Sequence, residues 1–230
     1  MFELSNEMLF FSIALIDLAF VLLCFRLGKH FLYVAVIANI LFTNMVSAKL
    51  VTVFGYDQTV ANVFYAAIFL ATDLLSEHHG RKEASKAVWM GFVGLFPIVA
   101  LAPFVAAFSP VEYSTEVSNA LSTIFEWTPR IVLASLIAYI ISQNVDVRLY
   151  DKIKGRFPSR KALWIRNNGS TLVSQFIDQI IFVTLAFAFV VPFGVLLQIF
   201  IAGYVIKVLV ALMDTPFIYL SHYIKPKKNV

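Results

Sequence analysis

The sequence predicts an all-α, polytopic membrane helix bundle with about seven transmembrane helices, and three observations carry that prediction. First, the composition is far from that of a soluble protein: of 230 residues, 60% are hydrophobic, 14% are charged and 23 are Phe, with a mean hydropathy of +0.82. Second, the apolar residues fall in runs close to the ~20 residues that cross hydrocarbon at ~1.5 Å per residue. Third, Lys and Arg collect at every second connection between those runs. The runs spread from end to end with short polar joints, so residues 1–230 read as one transmembrane domain in contact with the lipid bilayer.

The first run is Met8 to Phe25, interrupted by Asp17. No cationic segment precedes it and no small-residue cleavage pattern follows, which suits a retained span better than a signal peptide. The second is Phe31 to Val53, seeded with Asn39, Thr43, Asn44, Ser47 and Lys49. The others are Val60 to about Leu75, Ala87 to Phe108, Pro129 to Val147, Gly169 to Val191 and Phe193 to Tyr223. Pro97, Pro103 and Pro216 mark kinks or span ends. Residues 113–127 are too polar to span and read as a short surface helix.

Of the 18 basic residues, 15 lie at Arg26 and Lys29, at Arg81 to Lys86, between Arg148 and Arg166, or at the C-terminus. The alternate connections carry Asp57, Glu112, Glu116 and Glu126. An outside N-terminus and a cytoplasmic C-terminus follow. Three cations remain outside this scheme. Lys49 and Arg130 stand near outer span ends and can snorkel. Lys207 stands about twelve residues into the last run, at a depth similar to that of Asp178 in the run before it, which predicts an intramembrane ion pair.

The densest polar sequence is Asp73 to Glu83. Asp73 and Glu77 are four residues apart, so a helix places both carboxylates on one face. An acid placed before its apolar run ends is expensive unless something uses it. Asp73 therefore reads as a ligand contact in a polar cavity, and Glu77 as a second contact or a gate, against the alternative of a helix merely leaving the lipid. The sixth run draws a stripe through Asn167, Thr171, Ser174 and Asp178, with Asn168, Gln175 and Gln179 beside it. The fifth adds Ser135, Tyr139, Ser142, Gln143 and Asp146, the last explicable as a cap or as a partner for Arg148. So many polar groups at mid-depth favour a cavity over a purely structural bundle.

Other chemistries find little support. The single Cys24 excludes an internal disulfide and a cysteine metal cluster. The four histidines sit at span ends, and adjacent His78 and His79 point apart, so no metal site or other cofactor is expected. No phosphate-binding glycine loop is present, which excludes an ATPase in this chain. A membrane enzyme using Asp73, Glu77 or Asp178 stays open as an alternative, although no nucleophile, base and orienting group can be traced together. The net charge of +4 is explained by topology and implies no direct nucleic-acid partner.

Several segments resemble the queuosine precursor transporters, also called the vitamin uptake transporters. They are Asn62 to Tyr65, Ile68 to Glu77 with Gly80 to Ala84, Arg130 to Ser135, Gln143 to Val147, Arg166 to Thr171, Ser174 to Gln179 and Tyr204 to Lys207. The resemblance covers roughly residues 31–224 as a six-helix core, with residues 1–28 as an additional N-terminal helix. It implies import of a 7-deazaguanine, such as 7-cyano-7-deazaguanine, its aminomethyl counterpart or queuine, across the bacterial inner membrane for tRNA queuosine synthesis. The plan also resembles the substrate-binding components of energy-coupling-factor transporters. Docking on such an ATP-driven module, uptake of another vitamin and homodimerisation therefore stay open.

For such a ligand the expected contacts are specific. Asp178 or Asp73 would accept from the N1–H and amino edge. Asn44, Gln175 and Arg130 would meet the O6 side, Tyr65, Phe69 and Phe176 would stack, and Glu77, Gln143, Ser174 and Lys207 complete the candidate substrate-binding set. The cavity is expected between the second, third, fifth, sixth and seventh spans, opening near Lys49 and Arg130. No clearly spare acid stands in mid-bundle for a cationic 7-substituent, which favours the neutral cyano compound or a broad specificity.

Overall fold

The computed structural model describes residues 5–47, 49–125 and 129–226. Eight α-helices follow one another: α1 (Asn6–Leu27), α2 (Lys29–Val46), α3 (Asn62–His78), α4 (Arg81–Ala106), α5 (Thr115–Phe125), α6 (Pro129–Arg156), α7 (Leu163–Phe187) and α8 (Phe193–Ser221). Among the described residues, five helices are long and apolar enough to cross a membrane: α1, α2, α4, α7 with the short turn before it, and α8. The protein is thus an all-α polytopic membrane bundle.

Local chemistry sets the helix ends. Ser5 caps α1, its Oγ accepting from the Met8 N–H at 3.3 Å. The joints α1–α2 and α3–α4 each turn tightly at a glycine, Gly28 at φ 126° and Gly80 at φ 88°, backbone that residues with a Cβ avoid. The chain can therefore reverse within a residue or two, and α1 packs on α2 and α3 on α4. The joints at Gly28, at Gly80 and before α7, with the end of α8, form a basic end; a β-hairpin marks the opposite end.

That hairpin departs from the expected second span of residues 31–53. The helix stops at Val46, and β1 (Leu50–Val53) pairs antiparallel with β2 (Tyr56–Thr59), in register from Leu50 with Thr59 to Val53 with Tyr56. Leu50-Val51-Thr52-Val53 is rich in β-branched residues, and Phe54 and Gly55 both take positive φ, which matches a two-residue turn of the type that suits strand twist. Hydropathy could not separate this strand from the helix before it, since both are apolar. The hairpin is held to α1: the Asn6 amide donates to Thr52 O at 3.0 Å, and the Phe54 N–H donates to Glu7 at 3.0 Å.

Helix α3 is the hub. It packs on α1, α2, α4, α6 and α8, and every residue from Ala66 to Ser76 is buried. A helix enclosed on all sides needs no amphipathic pattern, which is why its span reads as continuously apolar with Asp73 inside. The outward faces of α1, α4 and α8 expose Ile16, Phe96, Phe104 and Ile201, as a lipid-facing surface does. The expected surface helix forms as α5, and Pro97, Pro103 and Pro216 all lie inside helices rather than at their ends.

Candidate ligand cavity

A cavity of about 630 Å³ lies at the hairpin end. Helix α2 contributes Thr43 and Asn44, α3 Asn62 and Tyr65, α7 Asp178 and Gln179, and α8 Gly203 and Lys207. Apolar side chains of α4, among them Leu95 and Ile98, form the wall, and Leu50 and Thr59 of the hairpin also line it. A mostly apolar hollow with a few convergent polar groups is the usual form of a small-molecule site.

The polar groups concentrate at its floor. Lys207 Nζ stands 2.5 Å from Asp178 Oδ2, with the two side chains 5% and 1% exposed, so the ion pair expected from matching depth is formed. The ammonium also lies 4.9 Å from the centre of the Tyr65 ring, within cation–π range. Ser142 Oγ donates to Asp178 Oδ1 at 3.0 Å. Both carboxylate oxygens are thus held, and each keeps lone pairs for a ligand.

Helices α6 and α7 are locked by a crosswise exchange. Ser142 of α6 donates to Asp178 of α7, and Ser174 of α7 donates to Asp146 of α6 at 2.9 Å. Each helix carries Ser and Asp at a four-residue spacing, so antiparallel packing sets each serine opposite the other helix's acid. On the α8 side, Gln179 Nε2 donates to Ile199 O at 3.2 Å. It fits because Gly203 has no side chain: a Cβ there would run into the Gln179 amide.

Below the floor lies a layer of three buried carboxyls, Asp73 on α3, Asp146 on α6 and Asp214 on α8. Asp146 accepts from Ser174, and Asp214 accepts from Asn167 Nδ2 at 2.6 Å. At the basic end a third layer is fully paired. Arg166, 1% exposed, donates to Glu77 Oε1 at 2.6 Å and Oε2 at 3.0 Å, a bidentate fork. Tyr150 and Lys154 also hold Glu77 Oε2, at 3.0 and 3.3 Å. His222 lies 3.5 Å from Glu77 Oε1, yet burial outweighs that neighbour and keeps its imidazole below the ordinary value.

The sequence-derived candidates are therefore distributed over the three layers. Asn44, Tyr65, Asp178 and Lys207 line the cavity. Phe69 is fully buried one turn below Tyr65 and does not line it. Asp73 and Ser174 belong to the carboxyl layer, Gln143 bonds Thr72 beside Asp73, Gln175 is buried outside the cavity lining, and Glu77 belongs to the paired layer. Arg130 closes the end of α7, donating to Leu185 O and Ala188 O, both at 2.6 Å. Phe176 is 43% exposed and packs edge-on against Phe200 and Tyr204, away from the cavity. Asp146 neither caps a helix nor pairs with Arg148; it faces inward to Ser174. The cavity also reaches α4 and α5, beyond the five spans expected.

Asp214 and the depth of the Arg166 clasp escaped the sequence reading. Asp214 follows Lys207 by seven residues, two helical turns, so the face that carries Lys207 inward carries Asp214 too.

Comparison with known proteins agrees with this architecture. The family profile described as "Putative vitamin uptake transporter" matches residues 59–221. A Bacillus subtilis (strain 168) protein called "Probable queuosine precursor transporter" is 41% identical over 223 residues, covering 96% of each chain. A Haemophilus influenzae protein of the same description is 27% identical over 135 residues, 58% of this chain and 54% of its own. No solved structure matches. With a profile match over most of its length and a relative of this identity along almost the whole of it, the chain belongs to the vitamin uptake transporter family.

Proposed function

We propose that this transporter imports a 7-deazaguanine precursor of queuosine across the bacterial inner membrane; the name of its Bacillus subtilis relative supports a queuosine precursor as the cargo. The observation that carries the reading is the cavity floor, where a buried carboxylate, Asp178, stands beside an aromatic ring, Tyr65. The Asp178 carboxylate accepts from the N1–H and amino edge of the base, Tyr65 stacks on its face, and Asn44 and Gln179 meet the O6 side. The cavity volume lies within the ~300–1,000 Å³ usual for small-molecule sites. Since Lys207 already neutralises Asp178, a neutral ligand fits best, which favours the cyano compound.

Seven helices, all but α5, cross the membrane in this reading, with the N-terminus and hairpin outside and the basic end cytoplasmic. Helix α3, at 17 residues, is just shorter than the five apolar spans, and α6 ends in a charged tail. Helix α1 acts as part of the transport fold rather than as an added anchor: Leu18, Val21 and Phe25 are buried, and it packs on α2, α3 and α8.

The test is uptake of labelled precursors by cells that lack both queuosine synthesis and a transporter of their own. Expression of this chain should restore uptake, and competition by the cyano compound should exceed that by queuine. Tight queuine transport without inhibition by the cyano compound would show that the acids are wrongly assigned.

A further inference from the structure

The carboxyl layer between the cavity and the Glu77 clasp has no role in holding the ligand as proposed. Asp73, Asp146 and Asp214 are each no more than 1% exposed. The Asp73 carboxyl lies within hydrogen-bonding reach of that of Asp146, with Asp214 adjacent in charge. Neither oxygen of Asp73 has a donor, and Asp146 Oδ2 and Asp214 Oδ2 have none either.

Among the described residues no cation is paired with them. Facing the layer are Glu77 on α3, Tyr150 on α6, Arg166 on α7 and Lys207 on α8; Arg166 is committed to Glu77, and Lys207 to Asp178. Helix α4 turns Ala84, Ala87 and Val88 inward, and the two acids of α1 are engaged elsewhere, Glu7 by Phe54 of the hairpin and Asp17 by Asn39 of α2. Neighbouring ionised carboxyls in a membrane interior without a cation are costly, and a proton on one of them removes the repulsion.

A second feature points the same way. The Gln143 amide is fully buried, and its Oε1 accepts from Thr72, the neighbour of Asp73, at 3.3 Å. That leaves its Nε2, on the residue one turn before Asp146, buried with no acceptor. A metal is a poor occupant, because among the described residues no three acids, histidines or cysteines converge on a single point.

We propose that the Asp73–Asp146–Asp214 layer is a proton-binding site that couples ligand passage through the cavity to the transmembrane proton gradient. This rests on the import reading above. The link to the cavity is the crosswise exchange: Asp146 shares the α6–α7 contact with Asp178 through Ser174 and Ser142, so a change of charge on Asp146 loads the same contact that orients Asp178, the carboxylate that receives the ligand. A proton enters a carboxylate from the cavity side as the ligand binds and leaves that carboxyl toward the basic end as the ligand is released. No other bond changes.

The full chain, purified and reconstituted in vesicles, is given labelled 7-cyano-7-deazaguanine with an imposed pH gradient, acid outside. The wild type should accumulate the compound, and an uncoupler should reduce the internal level to the external one. Asp146→Asn and Asp214→Asn should lose accumulation yet retain exchange of labelled for unlabelled compound. Accumulation indifferent to the uncoupler, or undiminished in both variants, would overturn the proposal; if a variant fails to fold, the uncoupler response of the wild type decides. A wild type that exchanges no deazaguanine would instead refute the import reading. The proton site is then judged by infrared spectroscopy, where a protonated-carboxyl stretch present in the wild type and lost on combining Asp73→Asn, Asp146→Asn and Asp214→Asn supports it. An unchanged stretch would refute it.

Discussion

Lys207 and Asp178 are the pair on which most depends at the residue scale, because each is buried and each is the other's charge partner. Removing one member of such a pair strands the other and costs about 3–5 kcal/mol. Lys207→Met should therefore lower thermal stability in detergent markedly, and combining it with Asp178→Asn should recover part of the loss. A single variant as stable as the wild type would show that the pair carries little. The carboxylate also takes the donor edge of the ligand, so Asp178→Asn should weaken binding of 7-cyano-7-deazaguanine by about tenfold or more, the consequence of losing ~1.5–3 kcal/mol from a charge-assisted hydrogen bond. Calorimetric titration of the purified variant measures this directly.

Pairs of helices decide the next scale. Helix α8 approaches α7 closely at Gly203, where the Gln179 amide fills the space that a side chain would take. Gly203→Ala should push the end of the Gln179 side chain aside and forfeit its bond to Ile199 O, a cost of about 1 kcal/mol. Its detergent melting point should fall, while Gly155→Ala, at a site with open space, should leave it nearly unchanged. At the basic end, α3 and α7 are joined by the Glu77–Arg166 fork. Arg166→Ala removes a buried side chain together with its fork, leaving Glu77 only Tyr150 and Lys154, and should destabilise more than Glu77→Gln, which keeps a neutral acceptor for Tyr150 and Arg166. Melting curves of the two variants side by side give the order, and equal losses would mean that the fork acts only by packing.

For the whole molecule, the seven-crossing topology makes a prediction that does not depend on the ligand. With Cys24 replaced by Ala, single cysteines at Phe54 in the hairpin turn and at Tyr113 before α5, both exposed, should react with a membrane-impermeant maleimide added to intact cells. A cysteine at Asp151 or Lys225 should react only after the cells are opened. Labelling of all four sites from outside would break the proposed orientation.

The sequence by itself determined the membrane class, the position of almost every helix, the family and the depth match of Lys207 with Asp178. These follow from hydropathy, charge and spacing along one helix, which the bilayer constrains directly. It also brought Asn44, Tyr65, Asp178 and Lys207 forward as candidates, all of which line the cavity. Only the tertiary structure decided which acids have a cation. Glu77 and Asp73 share a face of α3 one turn apart, yet Glu77 meets Arg166 while Asp73 meets two further acids. That difference depends on how α6, α7 and α8 are rotated about their axes, and rotation is set by packing between helices rather than by the pattern along any one of them. The hairpin likewise emerged only in three dimensions, since an apolar strand and an apolar helix carry the same hydropathy and differ in what they pair with.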